Sequence, residues 1–177
     1  MESPEVPLTV LVIGPSQAGK SSLIRRFVSE DLDEEYTRTS GIDCKLVRLT
    51  LQGKKVKLFL WDTSDESLYA NLFTAFQSRI GGIFLVYDVT ASGSIEQLQD
   101  TFSFLEQQAD SNIKIVLVGN KSDLSDHRCI SYAEGRALAD SKGAFFIETS
   151  AKSDVNTEVA LKSLLLVMLE VQASAPA

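Results

Sequence analysis

The segment 14–21, which reads Gly-Pro-Ser-Gln-Ala-Gly-Lys-Ser, contains residue types that could bind phosphate. It matches the G-x-x-x-x-G-K-[ST] pattern, in which glycines let backbone N–H groups curl around phosphate oxygens. Lys20 can reach the β- and γ-phosphates of a nucleotide, and the Ser21 hydroxyl can bind Mg²⁺. The loop and the helix start that follows it predict a phosphate site made by Ser16, Gln17, Ala18, Gly19, Lys20, Ser21 and Ser22.

A second motif, Asn120-Lys121-Ser122-Asp123, could choose the base. The Asp123 carboxylate can accept from the N1–H and the 2-amino group of guanine. Adenine lacks this donor pair and would leave the carboxylate desolvated and unpaired. Asn120 could tie this loop to the phosphate loop, and the aliphatic stem of Lys121 could lie along the base. On its own the motif could equally be an ordinary polar turn.

A third motif, Glu148-Thr149-Ser150-Ala151-Lys152, follows a short apolar run near the end of the chain. Backbone N–H groups of Ser150 and Ala151 could donate to the guanine carbonyl O6, with Lys152 completing the loop. Alone it would be an unremarkable junction between a strand and a loop. In series, the three motifs favour a guanine nucleotide over ATP.

Short apolar runs alternate with helical patterns along the chain, which predicts an α/β domain. The predicted sheet is mainly parallel and six-stranded, with helices on both faces. Ligands in such folds bind beyond the carboxyl ends of the strands, where the three motifs lie. The predicted strands are 8–13, 45–51, 55–60, 82–87, 113–118 and 144–147, the predicted helices are 20–29, 72–79, 94–108, 131–141 and 155–171, and 31–41 and 62–67 are predicted exposed loops.

The composition narrows the class of protein. The 177 residues fit one domain, and the net charge of −7 argues against nonspecific nucleic-acid binding, which needs basic patches. Two distant cysteines, Cys44 and Cys129, predict neither a disulfide framework nor a zinc site. No run of apolar residues is long enough for a membrane span. Arg25 and Arg26, on the helix after the phosphate loop, are predicted to be solvated.

These motifs, together with Trp61-Asp62-Thr63 and the run 85–90, resemble those of Rab-family small GTPases in the Ras superfamily. The order and spacing agree from about residue 8 to residue 171. The resemblance implies a three-layer P-loop NTPase (small G-protein) fold, formed by one domain over 1–177 with short flexible ends at about 1–6 and 172–177. It also implies a switch that binds GTP or GDP with Mg²⁺, regulates vesicle traffic, and is cytoplasmic or at the cytosolic face of an endomembrane. Effector and regulator proteins would bind through segments 31–43 and 62–76.

The resemblance also suggests roles for individual residues. Thr39 corresponds to the threonine that completes Mg²⁺ coordination when GTP is bound. The alternative interpretation is that Thr39 is an ordinary threonine in a surface loop. Tyr36 corresponds to a tyrosine that closes over the γ-phosphate. Asp62 corresponds to the aspartate that holds Mg²⁺, joining Ser21 and Thr39 as the predicted metal site.

The chain departs from the family where Ala-Gly-Gln-Glu is expected, because it has Ser64-Asp65-Glu66-Ser67. The Asp65 carboxylate would repel a triphosphate about 4–6 Å away by a few kcal/mol, which predicts a weaker preference for GTP or a different conformation of this segment. Glu66 replaces a water-orienting glutamine and, when ionised, cannot donate to the phosphoryl group. With Lys20 and Glu66 as the catalytic residues, hydrolysis is expected to be slow, unless Glu66 acts as a general base. Gln17 also replaces a usual glycine.

Three functional hypotheses remain open at this point. The first is the Rab-like switch with altered hydrolysis. The second is a nucleotide-locked pseudo-GTPase that serves as an interaction module, favoured by Asp65, Glu66 and the absence of a cysteine after Cys129. That absence predicts either a truncated chain or one that is not prenylated, with only indirect membrane contact. The third, a P-loop kinase or ATPase, is opposed by the second and third motifs.

Overall fold

The computed structural model describes residues 4–28, 33–39, 42–63 and 66–176, and for 33–39, 66 and 67 it describes the backbone alone. Strands and helices alternate along most of this length, as the sequence predicts. A short 3₁₀ helix, Ser125–His127, follows the strand Lys114–Asn120. The elements are β1 Val6–Ile13, α1 Lys20–Val28, β2 Asp33–Thr39, β3 Ile42–Leu51, β4 Lys54–Thr63, α2 Glu66–Phe76, β5 Gly82–Asp88, α3 Ser94–Gln108, β6 Lys114–Asn120, α4 Tyr132–Ser141, β7 Phe145–Glu148 and α5 Thr157–Ser174.

The sheet has the strand order β2-β3-β4-β1-β5-β6-β7. Strands β4, β1, β5, β6 and β7 pair in parallel, whereas β3 runs antiparallel to both of its neighbours. Parallel pairing needs a crossover between successive strands, and the helices supply it. The predicted α/β class is therefore confirmed, and all six predicted strands are present.

A seventh strand corrects one prediction. The segment 31–41 was expected to be an exposed loop, but β2 pairs antiparallel with β3 from Asp33 opposite Arg48 to Thr39 opposite Ile42. Charged side chains are compatible with an edge strand, so the polar composition did not exclude this pairing. The strand extends the sheet on the side away from β5, β6 and β7.

Strand β1 lies near the centre of the sheet, and its successive side chains enter opposite layers. Val10 and Val12 pack in one apolar cluster with α1 and α5, whereas Leu11 and Ile13 pack in the other with α2, α3 and α4. All four are 1% exposed or less. Burial on both faces explains why this strand is a continuous apolar run. The result is a three-layer arrangement that holds the carboxyl end of β1 rigidly.

Helices α2 and α5 differ from the predicted bounds, 72–79 and 155–171, at both of their ends. Helix α2 begins at Glu66, within the segment 62–67 that was predicted to be a loop. An acidic residue in a first turn is favoured by the helix dipole, so a polar start is compatible with a helix. Helix α5 continues to Ser174, into the segment for which flexibility was predicted. Among the described helices, none combines the length and the apolar character that crossing a bilayer requires.

Candidate nucleotide-binding site

The phosphate loop, residues 14–19, connects β1 to α1 and passes very close to two other strands. Gly14 has φ +146°, and a Cβ built on it would lie 1.9 Å from the Val86 carbonyl oxygen in β5. Gly19 has φ +91°, and its Cβ would lie 2.3 Å from Nδ2 of Asn120 at the end of β6. Both positions therefore need glycine for backbone angle and for space.

The Lys20 side chain turns back onto the loop. Its Nζ donates to the carbonyl oxygens of Gly14 and Pro15, both at 2.8 Å, and the residue is 6% exposed. Ser16 and Gln17 are exposed at the tip of the loop, and Ser22 is exposed in the first turn of α1. This arrangement puts an ammonium group beside exposed loop backbone at a helix N-terminus, which suits a polyphosphate.

Gln17 departs from the usual glycine with a visible structural consequence. Its φ is +65°, in the left-handed region, which costs a non-glycine residue about 1–2 kcal/mol. Its carbonyl oxygen accepts a hydrogen bond from Lys121 Nζ at 2.7 Å. Ala18 differs from the exposed tip because it is buried, and its backbone N–H and carbonyl bond to Pro15 and Asn120. Ala18 therefore joins loops together inside the protein.

Two predicted metal ligands meet at the carboxyl end of β4. Ser21 Oγ donates to Asp62 Oδ2 at 2.5 Å. Asp62 is 8% exposed, and its Oδ1 is buried without a hydrogen-bond partner among the described residues. A buried carboxylate oxygen beside a hydroxyl is a donor set that Mg²⁺ prefers. These two residues therefore fit the ion that the resemblance implies.

The third predicted ligand, Thr39, is not beside them. Its backbone lies in β2 opposite Ile42, and Ile42 lies opposite Thr63 in β4. Two strand spacings separate Thr39 from Thr63, which is about 10 Å. Tyr36, opposite Lys45 in the same strand pair, and Glu66, the first residue of α2, are described by backbone alone. Asp65 lies outside the described residues.

Asn120 joins the phosphate loop to the turn after β7. It is 1% exposed, and its Nδ2 donates to the Ala18 carbonyl oxygen at 2.9 Å. Its Oδ1 accepts from Thr149 Oγ1 at 3.1 Å and from the Ala151 N–H at 3.2 Å. One buried amide thus fixes the distance between two loops that lie at the ends of different strands, as the sequence predicted for Asn120 and the phosphate loop.

Asp123 lies at the edge of a cleft of about 220 Å³. Its Oδ1 accepts from Ser150 Oγ at 2.7 Å, and that hydroxyl in turn accepts from the Ser153 N–H at 3.0 Å. The hydrogen bond to Oδ1 thus fixes the orientation of the Asp123 carboxylate, although the residue is exposed. The lining of the cleft brings together Gly19, Ser22, Asn120, Lys121, Asp123, Leu124, Ala151 and Lys152.

The two backbone N–H groups predicted to face guanine O6 each bond to a protein acceptor in this structure. The Ser150 N–H donates to the Val155 carbonyl oxygen at 3.1 Å in an isolated β-bridge. The Ala151 N–H donates to Asn120 Oδ1. The sequence could not show this because the turn 150–155 closes on itself. Ser150 therefore acts on Asp123 through its hydroxyl.

The prediction that Arg26 is solvated is wrong. Its Nε donates to the Ala151 carbonyl oxygen at 2.6 Å, and its Nη2 donates to the Lys152 carbonyl oxygen at 2.9 Å. Its neighbour Arg25 is exposed, as predicted. Sequence analysis missed Arg26 because two adjacent arginines on a helix carry no signal that separates them.

The site thus consists of three parts: a phosphate loop, the Asp62 carboxylate beside the Ser21 hydroxyl, and a cleft whose edge holds the oriented Asp123 carboxylate. A sequence model of the Ras family matches residues 9–170. This chain belongs to the Ras family. It is 40% identical over 157 residues to the GTP-binding protein ypt2 of Schizosaccharomyces pombe, covering 89% of this chain and 78% of that protein. The Rab-like resemblance is thereby confirmed.

Two further relatives show the same likeness across the domain. The Ras-related protein RABD2a of Arabidopsis thaliana is 38% identical over 168 residues, which covers 95% of this chain and 83% of the relative. The Ras-related protein Rab-8B of Dictyostelium discoideum is 37% identical over 155 residues, covering 88% and 76%. The likeness therefore extends over nearly the whole Ras-family chain.

Asp88 is a second residue of this Ras-family site that sequence analysis missed. Its Oδ2 accepts from Lys121 Nζ at 2.6 Å, and its Oδ1 accepts from the Thr90 N–H at 2.8 Å and the Thr90 Oγ1 at 2.6 Å. Burial alone would raise the pKa of Asp88, but the hydrogen bonds from Lys121 and Thr90 outweigh it and hold the pKa below its ordinary value. The ionised carboxylate therefore anchors the ammonium group of Lys121.

The lowered pKa of Asp88 gives a pH-dependent prediction. Because the folded-state pKa lies below the unfolded one, the stabilisation is present above about pH 4 and is lost as the pH falls through the folded-state value. We expect Asp88→Asn to lower the melting temperature at pH 7 more than at pH 3. Thermal unfolding of both proteins from pH 3 to 7 measures this, and two parallel curves would contradict it.

Proposed function

We propose that this Ras-family chain is a guanine-nucleotide-binding switch of the Rab type that acts in vesicle traffic. The observation that carries the proposal is the Asn120 amide, which joins the phosphate loop to the turn beside Asp123. A phosphate site and a guanine-selective carboxylate are thus held at a set separation. The printed name of the relative ypt2, a GTP-binding protein, supports the same ligand.

Each part of the site has a distinct task in this proposal. The exposed backbone of the phosphate loop and the Lys20 ammonium bind the β- and γ-phosphates. Ser21 and Asp62 would hold Mg²⁺, with Thr39 as a third ligand when GTP is bound, and the bound ion would neutralise charge on the phosphate oxygens. Asp123 accepts from guanine N1–H and the 2-amino group, while the Lys121 stem lies along the base.

Partners and location follow from the same family likeness. Effector and regulator proteins bind the segments 31–43 and 62–76. β2 and the start of α2 lie in these segments. The chain acts in the cytoplasm or at the cytosolic face of an endomembrane.

Hydrolysis in this chain is slow, because Asp65 and Glu66 replace the family's glycine and glutamine. Glu66 is the first residue of α2. An ionised carboxylate can accept from water but cannot donate to the phosphoryl oxygens. The transition state therefore loses a hydrogen bond that a glutamine at this position would donate.

The test is to purify the chain, identify the nucleotide that copurifies, and measure GTP turnover with Mg²⁺. We expect bound guanine nucleotide and slow turnover that rises at least about tenfold in the Asp65→Gly, Glu66→Gln double variant, since a lost transition-state hydrogen bond of about 1.4 kcal/mol corresponds to tenfold. Glu106→Gln on the exposed face of α3 is the matched control and should leave the rate unchanged.

Two results would overturn the proposal in different ways. Absence of any copurifying nucleotide, together with no binding of added GDP, would remove the nucleotide-binding function. GDP that stays bound and never exchanges would instead support the locked interaction module. Turnover that is unchanged in the double variant would contradict the role given to Asp65 and Glu66.

A further inference from the structure

The guanidinium group of Arg26 connects helix α1 to the turn that follows Ser150, across a sequence separation of 125 residues. The two donors of Arg26 bond to two successive carbonyl oxygens, those of Ala151 and Lys152, at 2.6 and 2.9 Å. We propose that Arg26 is a positioning residue that sets recognition of the 6-position of guanine by orienting the Ala151–Lys152 peptide. The inference rests on the proposed guanine-nucleotide function.

The orientation follows from the geometry of a trans peptide. The Ala151 carbonyl and the Lys152 N–H belong to one planar unit and point in opposite directions. Because the carbonyl is directed at Arg26, the N–H is directed away from α1. Ala151 and Lys152 line the base cleft, whereas Arg26 does not. The Lys152 N–H therefore lies on the cleft side of the turn.

This N–H differs from its two neighbours in the turn. The Ser150 and Ala151 N–H groups donate to Val155 and Asn120. Among the described residues, none accepts from the Lys152 N–H. A fixed donor at this point favours a 6-oxo group, which accepts, over a 6-amino group, which would place donor against donor.

The chemistry of the guanidinium suits this task better than that of an ammonium group. Its rigid fork bonds two acceptors at once, which prevents the peptide from rotating. A lysine at position 26 could bond one carbonyl at a time and would restrain the peptide less. The neighbouring Arg25 is exposed on the same helix and has the same charge, so it is a matched control.

The experiment measures the affinity of three nucleotides in Mg²⁺ buffer. GDP has the 6-oxo and 2-amino groups, inosine diphosphate lacks the 2-amino group, and 2,6-diaminopurine riboside diphosphate has an amino group at position 6. We expect Arg26→Met to lower the preference for GDP over the diaminopurine nucleotide about tenfold, the size of one lost hydrogen bond. Its preference for GDP over inosine diphosphate should not change, because Asp123 reads that group.

Three further variants make the result specific. Arg25→Met should change neither preference. Arg26→Lys should lower the GDP-over-diaminopurine preference less than Arg26→Met, and it tests the proposal if the methionine variant does not fold. Ser150→Ala, which frees the Asp123 carboxylate, should lower both preferences, because inosine lacks the 2-amino group and diaminopurine lacks the N1–H that Asp123 reads. Arg26→Met should lower the GDP-over-diaminopurine preference alone.

The outcomes separate this inference from the proposed function. Equal weakening of all three nucleotides by Arg26→Met, or a fall in melting temperature with both preferences retained, would overturn the positioning role. The same holds for an Arg26→Lys protein with unchanged preferences where Arg26→Met does not fold. Failure of the unaltered chain to bind any of the three nucleotides would overturn the proposed function itself.

Discussion

Replacing Asn120 with alanine will destabilise the protein by about 3 kcal/mol and weaken guanine-nucleotide binding about 100-fold. The substitution leaves the buried Thr149 hydroxyl and the Ala151 N–H without their shared acceptor, and it removes the tie to the Ala18 carbonyl. A buried polar group left unpaired costs about 1–3 kcal/mol. Denaturant unfolding gives the stability change, and equilibrium titration with GDP gives the affinity change.

Two comparison variants test the reason. Asn120→Asp keeps an acceptor for Thr149 and Ala151 but sets a buried carboxylate oxygen against the Ala18 carbonyl, so it too should lose stability and nucleotide affinity relative to the unaltered protein. Asn112→Ala, at an exposed asparagine, should have little effect. A near-neutral Asn120→Ala protein would show that the amide does not hold the two loops together.

Gly14→Ala will destabilise the protein by about 3–5 kcal/mol. The added Cβ would lie 1.9 Å from the Val86 carbonyl oxygen, which belongs to the backbone of a central strand and cannot turn aside. Overpacking costs about 1–3 kcal/mol, and a strained backbone angle adds about 1–3 kcal/mol. This is a large share of the about 5–15 kcal/mol that stabilises a typical domain, so we expect low soluble yield and a much lower melting temperature.

A matched glycine separates the two causes. Gly53, in the turn between β3 and β4, has φ +75° but has open space around the position of a Cβ. Gly53→Ala therefore carries the cost of the backbone angle alone, about 1 kcal/mol. Equal losses of stability in Gly14→Ala and Gly53→Ala would contradict the argument from the Val86 contact.

The parts that the sequence predicted well are those set by local patterns. The short, continuous apolar runs of β1 and β5 predicted strands buried on both faces, and the apolar spacing of α3 predicted the bounds that are observed, Ser94–Gln108. The three nucleotide motifs followed strands in the order that a parallel sheet requires. Their meeting at one edge of the sheet was therefore predictable before any contact was known.

The parts that were missed depend on tertiary contacts. β2 carries no alternating apolar pattern, and it is a strand because the edge of β3 accepts it. The role of Arg26 depends on a helix and a turn that are distant in the sequence, and the use of the Ser150 N–H depends on a turn that closes on Val155. Contacts between residues this far apart in the sequence cannot be predicted from residue types or from their spacing.

Two long-range hydrogen bonds of the site can form only late in the synthesis of the chain. Asn120, the hydrogen-bond donor to the Ala18 carbonyl, is made 102 residues after Ala18. Ala151, whose carbonyl accepts from Arg26, is made 125 residues after Arg26. A ribosome adding about 5–20 residues per second thus needs several seconds between making the phosphate loop and making its partners. During that interval the nascent chain has a phosphate loop with no base cleft, so its selectivity for guanine begins only when the chain has emerged as far as Lys152.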